Sequence, residues 1–230
     1  MAVYAISDLH LPAGNDKPMD IFGEHWENHF DRIRADWLEK VEEEDIVLLP
    51  GDLSWGMQLS DALQDLNAIG ALPGKKIITR GNHDYWWSSI GRVRDKLPKN
   101  MYALQNDSLL LDGYLFSGTR GWILPAEEVE EGDVRIFRRE LGRLRMSLDH
   151  ARRLSKDADI ICMLHYPPLT DAVRETEVTQ ILKEYPVRHV VYGHLHASAL
   201  CGAFRGVEDG IHYHQVSCDG LDFKLHKVTE

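Results

Sequence analysis

Short uninterrupted runs of apolar residues recur along the chain, and they are rich in β-branched side chains. Such runs are typical of strands that are buried on both faces, because a half-exposed strand alternates apolar and polar positions. The pattern predicts five buried strands, over 3–6, 46–49, 76–79, 160–164 and 189–192.

Apolar residues at helical spacing lie between these runs and predict three helices, over 24–43, 60–69 and 133–155. Alternating strands and helices indicate an α/β architecture with parallel strand pairs at its centre. After Gly193 the pattern changes to runs in which apolar and polar residues alternate, and these predict antiparallel strands of a second sheet over 211–216 and 221–225. The chain has no internal repeat and no linker-like segment, so we expect a single domain over residues 1–230.

The composition narrows the class of protein. With 43% hydrophobic and 27% charged residues, the chain has the content of a folded soluble protein. The formal net charge of -11 opposes binding of bulk nucleic acid and of anionic membranes. Candidate functional residues begin at Asp8 and no run reaches the roughly 20 apolar residues of a membrane span, so we expect a cytoplasmic protein. The three scattered cysteines indicate neither a disulfide framework nor a thiolate metal site.

Polar residues with metal-binding side chains directly follow each of the five predicted strands. Loops at the carboxyl ends of parallel strands converge on one crevice, so we expect these side chains to meet there. The convergent set is two Asp, one Asn and four or five His, namely Asp8, Asp52, Asn82, His10, His165, His194 and His196, with His83 as the fifth histidine. Oxygen and imidazole donors without sulfur favour Zn²⁺, Mn²⁺ or Fe over Cu(I), Ca²⁺ and Mg²⁺. The number of donors suits two ions about 3.5–4 Å apart, an arrangement typical of hydrolytic or phosphoryl-transfer chemistry.

The motifs D-x-H, G-D, G-N-H-D, H and G-H-x-H occur in that order from Asp8 to His196. In this respect the chain resembles the calcineurin-like metallophosphoesterases. The resemblance implies a four-layer α/β/β/α sandwich of two mixed β-sheets flanked by helices. It also implies two divalent or trivalent transition-metal ions (Mn, Fe or Zn). The implied ligands are Asp8, His10 and His196 for one ion, Asn82, His165 and His194 for the other, and Asp52 as the bridge.

The same resemblance implies a reaction and its proton donor. A hydroxide that bridges the metals would attack the phosphorus of a small phosphomonoester or phosphodiester, such as a nucleotide. His83 would donate a proton to the leaving group as the general acid, and Asp84 would hold the His83 imidazole in one tautomer. The expected partner is therefore a small phosphate ester rather than nucleic acid.

One departure from the family pattern keeps alternatives open. Serine/threonine protein phosphatases of this superfamily carry a phosphate-binding arginine soon after G-D, whereas residues 51–56 here contain none. A protein phosphatase, a nuclease of the same superfamily and a catalytically silent metal-binding scaffold remain as alternatives. Arg120, in a loop next to Gly121, is a candidate for the missing phosphate contact.

Aromatic residues next to the motifs predict a substrate surface. Trp55 follows G-D and Trp86 follows G-N-H-D, and indoles at such loop positions can stack on a nucleobase or aryl group. The segment 11–30 lengthens the loop after D-x-H, and we expect it to act as a cap over the cleft.

Overall fold

The computed structural model describes residues 1–14, 19–125 and 130–229. The strands are β1 Val3–Ala5, β2 Ile46–Leu49, β3 Lys75–Ile78, β4 Met101–Ala103, β5 Ser108–Leu111, β6 Tyr114–Thr119, β7 Ile160–Leu164, β8 Val187–Tyr192, β9 Gly206–Glu208, β10 Ile211–Gln215 and β11 His226–Thr229. The helices are α1 His29–Lys40, α2 Leu59–Gly70, α3 Ile90–Lys96, α4 Glu131–Leu154 and α5 Glu177–Lys183. Short 3₁₀ helices span Met19–Phe22, Glu24–Trp26, Ala197–Gly202 and Cys218–Leu221.

The strands form two mixed sheets. The first has the order β11-β1-β2-β3-β4, in which only the β1–β11 pair is antiparallel. The second has the order β5-β6-β7-β8-β10-β9, with antiparallel pairs at its two edges and parallel pairs between them. The predicted parallel centre is therefore confirmed, in both sheets.

The apolar clusters show how the layers stack. The first sheet packs one face against α1, α2 and α3 through a cluster that includes Trp37, Leu66 and Val93. The second sheet packs one face against α4 and α5 through a cluster that includes Leu148 and Leu182.

The inner faces of the two sheets pack against each other. Ile46 and Leu48 of β2 lie in one cluster with Ile161 and Met163 of β7. The resulting order of layers is helix, sheet, sheet, helix, which confirms the expected four-layer sandwich.

The five strands predicted from apolar runs are all present, with ends that differ by no more than two residues. They are divided between the sheets: β1, β2 and β3 belong to the first, and β7 and β8 to the second. The helices predicted over 60–69 and 133–155 are confirmed as α2 and α4. The predicted helix over 24–43 is shorter, because a 3₁₀ turn at Glu24–Trp26 precedes α1. No helix within the described ranges combines the length and the apolar character needed to cross a membrane.

The prediction for the C-terminal segment was wrong in two respects. β10 does alternate more and less buried residues, but it pairs with β8 in parallel and is antiparallel only to β9. Residues 221–225 form no strand, since the backbone turns at Asp222 and Phe223, both with positive φ. The last strand is β11, which returns to the first sheet beside β1.

Candidate metal centre

The motif side chains meet where the loops that follow β1, β2, β3, β7 and β8 come together. Four of these residues have left-handed backbone conformations, namely Asp8, His10, Asp52 and His194. Non-glycine residues rarely adopt positive φ, and such strain concentrates at functional sites. Gly193 is required for a steric reason, because a Cβ there would overlap the carboxylate of Asp8.

Asp8, His10 and His196 form the first group of ligand atoms, which all lie within 4.8 Å of one another. Nε2 of His196 lies 3.4 Å from Oδ1 of Asp8. On its other side, Nδ1 of His196 donates to Oδ1 of Asp219 at 2.9 Å. A carboxylate on the far nitrogen fixes the tautomer and the ring orientation of a metal-binding histidine.

Asp219 was missed by the sequence analysis. It belongs to no motif, but it follows the strand-like run 211–216, as the other candidates follow their runs. Its side chain is only 3% exposed, and its second oxygen accepts the backbone N–H of Ala197. The sequence therefore offered one sign that Asp219 is a site residue, namely its position shortly after β10. Only the fold shows that Asp219 faces His196.

The second group consists of Asp8, Asp52 and His165, again within 4.8 Å of one another. Oδ2 of Asp52 lies 3.4 Å from Nε2 of His165 and 3.8 Å from Nε2 of His10, so Asp52 faces both groups. Asn82 adds an amide oxygen, which lies 2.7 Å from Nε2 of His165.

His194 completes the convergence, with its Nδ1 2.9 Å from the same amide oxygen of Asn82. All seven side chains expected as ligands are thus brought together. Five of them form the two groups that share Asp8, and Asn82 and His194 join through the contacts of the Asn82 amide oxygen. The sharing of a carboxylate between groups is an arrangement that suits a two-ion site.

Three histidines of the centre are unprotonated at neutral pH, so their ring nitrogens can bind a metal ion. Burial is the main cause that lowers the pKa of His10 to about 3 and the pKa of His165 and His194 to about 4. His196 differs: burial would lower its pKa, but hydrogen bonds to Asp219 and Asp8 raise it to about 10. Nε2 of His196 faces Oδ1 of Asp8, so a cation bound between these two atoms would replace the Nε2 proton while Nδ1 keeps its bond to Asp219.

A test of fit supports transition-metal ions at this centre. Nδ1 of His10 is buried without a hydrogen-bond partner among the described residues. The donors are carboxylate, amide and imidazole groups, which suit Zn²⁺, Mn²⁺ or Fe. The residues present therefore fit the expected ions.

His83 lies beside this centre without belonging to either group of ligands. Its ring centroid is 5.6 Å from that of His10 and 4.8 Å from that of Trp55. Its backbone N–H donates to Oδ1 of Asp52 at 2.8 Å, which fixes the loop relative to the carboxylate. Burial lowers the pKa of His83, and the charges of Asp84 and Asp8 oppose that shift.

The expected contact between Asp84 and the His83 imidazole is not formed. Within the described residues, Nδ1 of His83 has no partner, and Asp84 accepts hydrogen bonds from other groups. Its donors are the backbone N–H groups of Asp52, Leu53, Ser54 and Gly81 and the indole of Trp86. Asp84 therefore ties two motif loops together rather than orienting His83.

Trp55 and Trp86 differ in where the structure places them. Trp55 is half-buried and stacks on His10, with ring centroids 4.7 Å apart and an interplanar angle of 24°. Trp86 is only 1% exposed and donates its indole N–H to Asp84. Substrate stacking therefore stays a prediction for Trp55, and it is corrected for Trp86, whose indole is packed inside the protein.

A cavity of about 250 Å³, here called the aromatic cavity, opens beside His10, His83 and His196. The expected cap contributes to it, although residues 15–18 of that segment lie outside the described residues. The other lining residues are Met19, Phe22, His25, Trp26, Trp55, Ala197 and Asp219.

Arg120 lies in a different cavity. Its guanidinium packs over the ring of Trp122, 4.3 Å from the centroid, and lies 4.0 Å from Glu140. Its carbonyl accepts the backbone N–H groups of His165 and Tyr166. The structure thus places Arg120 on a loop tied to the centre, while its side chain lines a neighbouring space.

Two solved structures have a fold similar to that of this chain. Phosphopantetheinyl hydrolase (PptH) from Mycobacterium tuberculosis has a similar structure, with a TM-score of 0.60 and 15% identity over 99% of this chain and 95% of that one. A protein of unknown function from Aquifex aeolicus, AQ665, has a TM-score of 0.51 and 17% identity over 98% and 95%. At these identities the likeness concerns the fold alone.

Among curated proteins, no relative matches the sequence. The family described as calcineurin-like phosphoesterase matches residues 1–198, which include every motif residue of the centre. This chain therefore belongs to the calcineurin-like phosphoesterase family.

Proposed function

We propose that this protein is a dinuclear metal-dependent phosphoesterase that hydrolyses a small phosphomonoester or phosphodiester. The observation that carries the proposal is the convergence of seven potential ligands, with Asp8 in both groups and Asp52 facing both. Family membership supports the reaction class. PptH is a hydrolase of similar fold, but its 15% identity transfers no substrate.

Asp8, His10 and His196 would hold one ion, and Asn82, His165 and His194 the other, with Asp52 between them. Bound there, Mn, Fe or Zn ions supply positive charge that lowers the pKa of water and neutralises phosphoryl oxygens. The buried carboxyl groups of Asp8 and Asp52 and the unprotonated imidazoles of His10 and His165 would offer oxygen and nitrogen atoms to these ions.

His83 is the proposed proton donor to the leaving group. It lies at the aromatic cavity, next to His10 but outside the ligand groups, so its side chain is available to a substrate. A positioned imidazole that protonates a departing alkoxide contributes typically about 10²–10⁴-fold to the rate. The hydrogen bond from its backbone N–H to Oδ1 of Asp52 holds His83 beside the metal centre.

The aromatic cavity is the proposed site of the leaving group. It lies on the side of the centre where His83 stands, and Trp26, Trp55 and Phe22 give it an apolar wall. Such a wall favours an aryl group or nucleobase over a charged protein segment. The absence of arginine from residues 51–56 and the net charge of -11 also count against a protein phosphatase and a nuclease.

The test is hydrolysis of p-nitrophenyl phosphate and bis-p-nitrophenyl phosphate after metal removal and reloading with Mn²⁺, Zn²⁺ or Mg²⁺. We expect metal-dependent turnover that is lost in Asp52→Asn and falls about 10²–10⁴-fold in His83→Asn. The exposed His212→Asn is a matched control and should retain full activity.

Metal content measured on the same samples separates the alternatives. Turnover of both esters with two ions per chain supports the proposal, and the ratio of the two rates defines the preference for monoesters or diesters. Two bound ions without turnover of these esters or of nucleotides would favour the silent scaffold. Cleavage of single-stranded DNA in preference to small esters would favour the nuclease.

A further inference from the structure

A second cavity of about 220 Å³, here called the arginine cavity, lies next to the metal-centre loops. Its lining includes Arg80, Asn106, Arg120, Arg139, Glu140 and Arg143. Its walls come from the carboxyl ends of β3, β4 and β6 and from one face of α4. Arg80 precedes Asn82 by two residues, so this cavity and the metal centre share a loop.

Positive charge is in excess in the arginine cavity. Four guanidinium groups face one carboxylate, Glu140, which is 2% exposed. Glu140 is already engaged, because it accepts hydrogen bonds from Thr119 and Arg143, each at 2.6 Å. Such an excess is unusual in a chain whose net charge is -11, where acidic partners are plentiful.

Two of the arginines have capacity left for a ligand. Within the described ranges, neither Arg80 nor Arg139 forms an ion pair, and Nε of Arg80 is buried without a partner. Arg120 and Arg143 lie 4.0 Å and 2.6 Å from the same carboxylate oxygen of Glu140, so their two positive charges repel each other at close range. An anion in the cavity would relieve this repulsion and satisfy the unused donors.

The cavity is also preorganised. Arg120 is held over Trp122, and Arg143 is held by Glu140, so both guanidinium groups have fixed positions. Gln105 and Asn106 add neutral amide donors to the lining. Several fixed N–H donors around one space match the oxygens of a tetrahedral oxyanion, whereas a planar carboxylate would use fewer of them.

We propose that the arginine cavity binds a phosphate-type oxyanion. Because the cavity shares a loop with the metal centre, the ligand is either a second phosphate group of the substrate or free inorganic phosphate. The first source rests on the proposed function, whereas the second requires only the cavity itself.

The binding arm of the test uses radiolabelled inorganic phosphate and equilibrium dialysis of the Zn²⁺-loaded protein. We expect two phosphates per chain, one at the metal centre and one in the arginine cavity. The Arg80→Gln/Arg139→Gln double variant and Arg139→Gln alone should weaken one of them at least ten-fold. Arg138→Gln, at the neighbouring residue of α4 and outside the cavity lining, is the control.

Asp52→Asn separates this proposal from the proposed function, because it should remove the metal-centre phosphate and leave the other. Unchanged phosphate binding in the double variant would overturn the arginine site, whatever the enzyme activity. If no turnover is found but one variant-sensitive phosphate remains, the proposed function fails and the arginine site stands.

The kinetic arm identifies the source of the phosphate. Adenosine 5′-monophosphate and adenosine 3′,5′-bisphosphate differ by one phosphate group, and their hydrolysis is compared in the same variants. A rise in KM of ten-fold or more for the bisphosphate alone assigns the cavity to the substrate. Equal KM values with phosphate binding lost assign it to free phosphate.

Discussion

Nδ1 of His196 lies 2.9 Å from Oδ1 of Asp219, although His196 belongs to a motif loop and Asp219 follows the neighbouring strand β10. This bond directs the other ring nitrogen of His196 toward Asp8. If His196 holds a metal ion as proposed, the buried Asp219 carboxylate would support metal binding through the histidine ring.

We expect Asp219→Asn to weaken metal binding about 10–100-fold, because the ring loses its charged acceptor. Zinc affinity measured by competition with a chelator checks this. Asp222→Asn, at a side chain that is 71% exposed, is the matched control and should bind zinc normally. Equal affinities in both variants would show that His196 needs no such support.

Substitution of Asp84 should lower the free energy of unfolding rather than the affinity for metal. Its buried carboxylate accepts bonds from several N–H donors on two loops, and an amide would present N–H groups to some of those donors. Hydrogen bonds to charged groups are worth about 1.5–3 kcal/mol each, so Asp84→Asn should lower the free energy of unfolding by at least about 3 kcal/mol. Urea unfolding measures it, with the exposed Asp95→Asn on α3 as control. A change below about 1 kcal/mol would contradict the tie between the loops.

The cluster of histidines around β10 predicts loss of stability in acid. His214 contacts His189 at 3.1 Å and His226 at 2.8 Å, and His212 lies beside them. Burial is the main cause that lowers the pKa of His214 to about 3, and the charges of those three neighbours add to it.

Because the unfolded chain keeps a histidine pKa near 6.5, it binds more protons than the folded protein between about pH 6.5 and pH 3. The contribution of His214 is therefore complete above pH 6.5 and is lost as the pH falls, by at most about 1.4 kcal/mol per pH unit. Urea unfolding from pH 7 to pH 4 should show a shallower pH dependence for His214→Gln than for His25→Gln, an exposed control. Parallel curves would refute this.

The position of Phe22 in the cavity lining leads to a prediction about which leaving groups the protein prefers. It lines the aromatic cavity but is 60% exposed, so its removal should leave the fold intact. We expect Phe22→Ala to lower kcat/KM about ten-fold for 1-naphthyl phosphate and to leave that for methyl phosphate unchanged. Ile21→Ala, the exposed neighbour outside the cavity lining, is the control. Equal losses for both esters would place the leaving group elsewhere.

The sequence by itself determined the buried strands and the order of the candidate ligands. Runs such as 46–49 and 160–164 are continuous and apolar, and a chain can bury such runs on both faces only within a layered fold. The polar residues that follow them were therefore expected at one edge, and the structure brings Asp8, His165 and His194 together there.

Tertiary structure decided what each remaining side chain contacts. Asp84 and Trp86 look like site residues by position, but their loop turns them inward to bond each other and the neighbouring backbone. Asp219 has no motif and still reaches His196, because the strand order places β10 beside β8. The periodicity of the sequence indicates whether a residue is buried. The partner of that residue depends on which distant segments the fold brings to the same place.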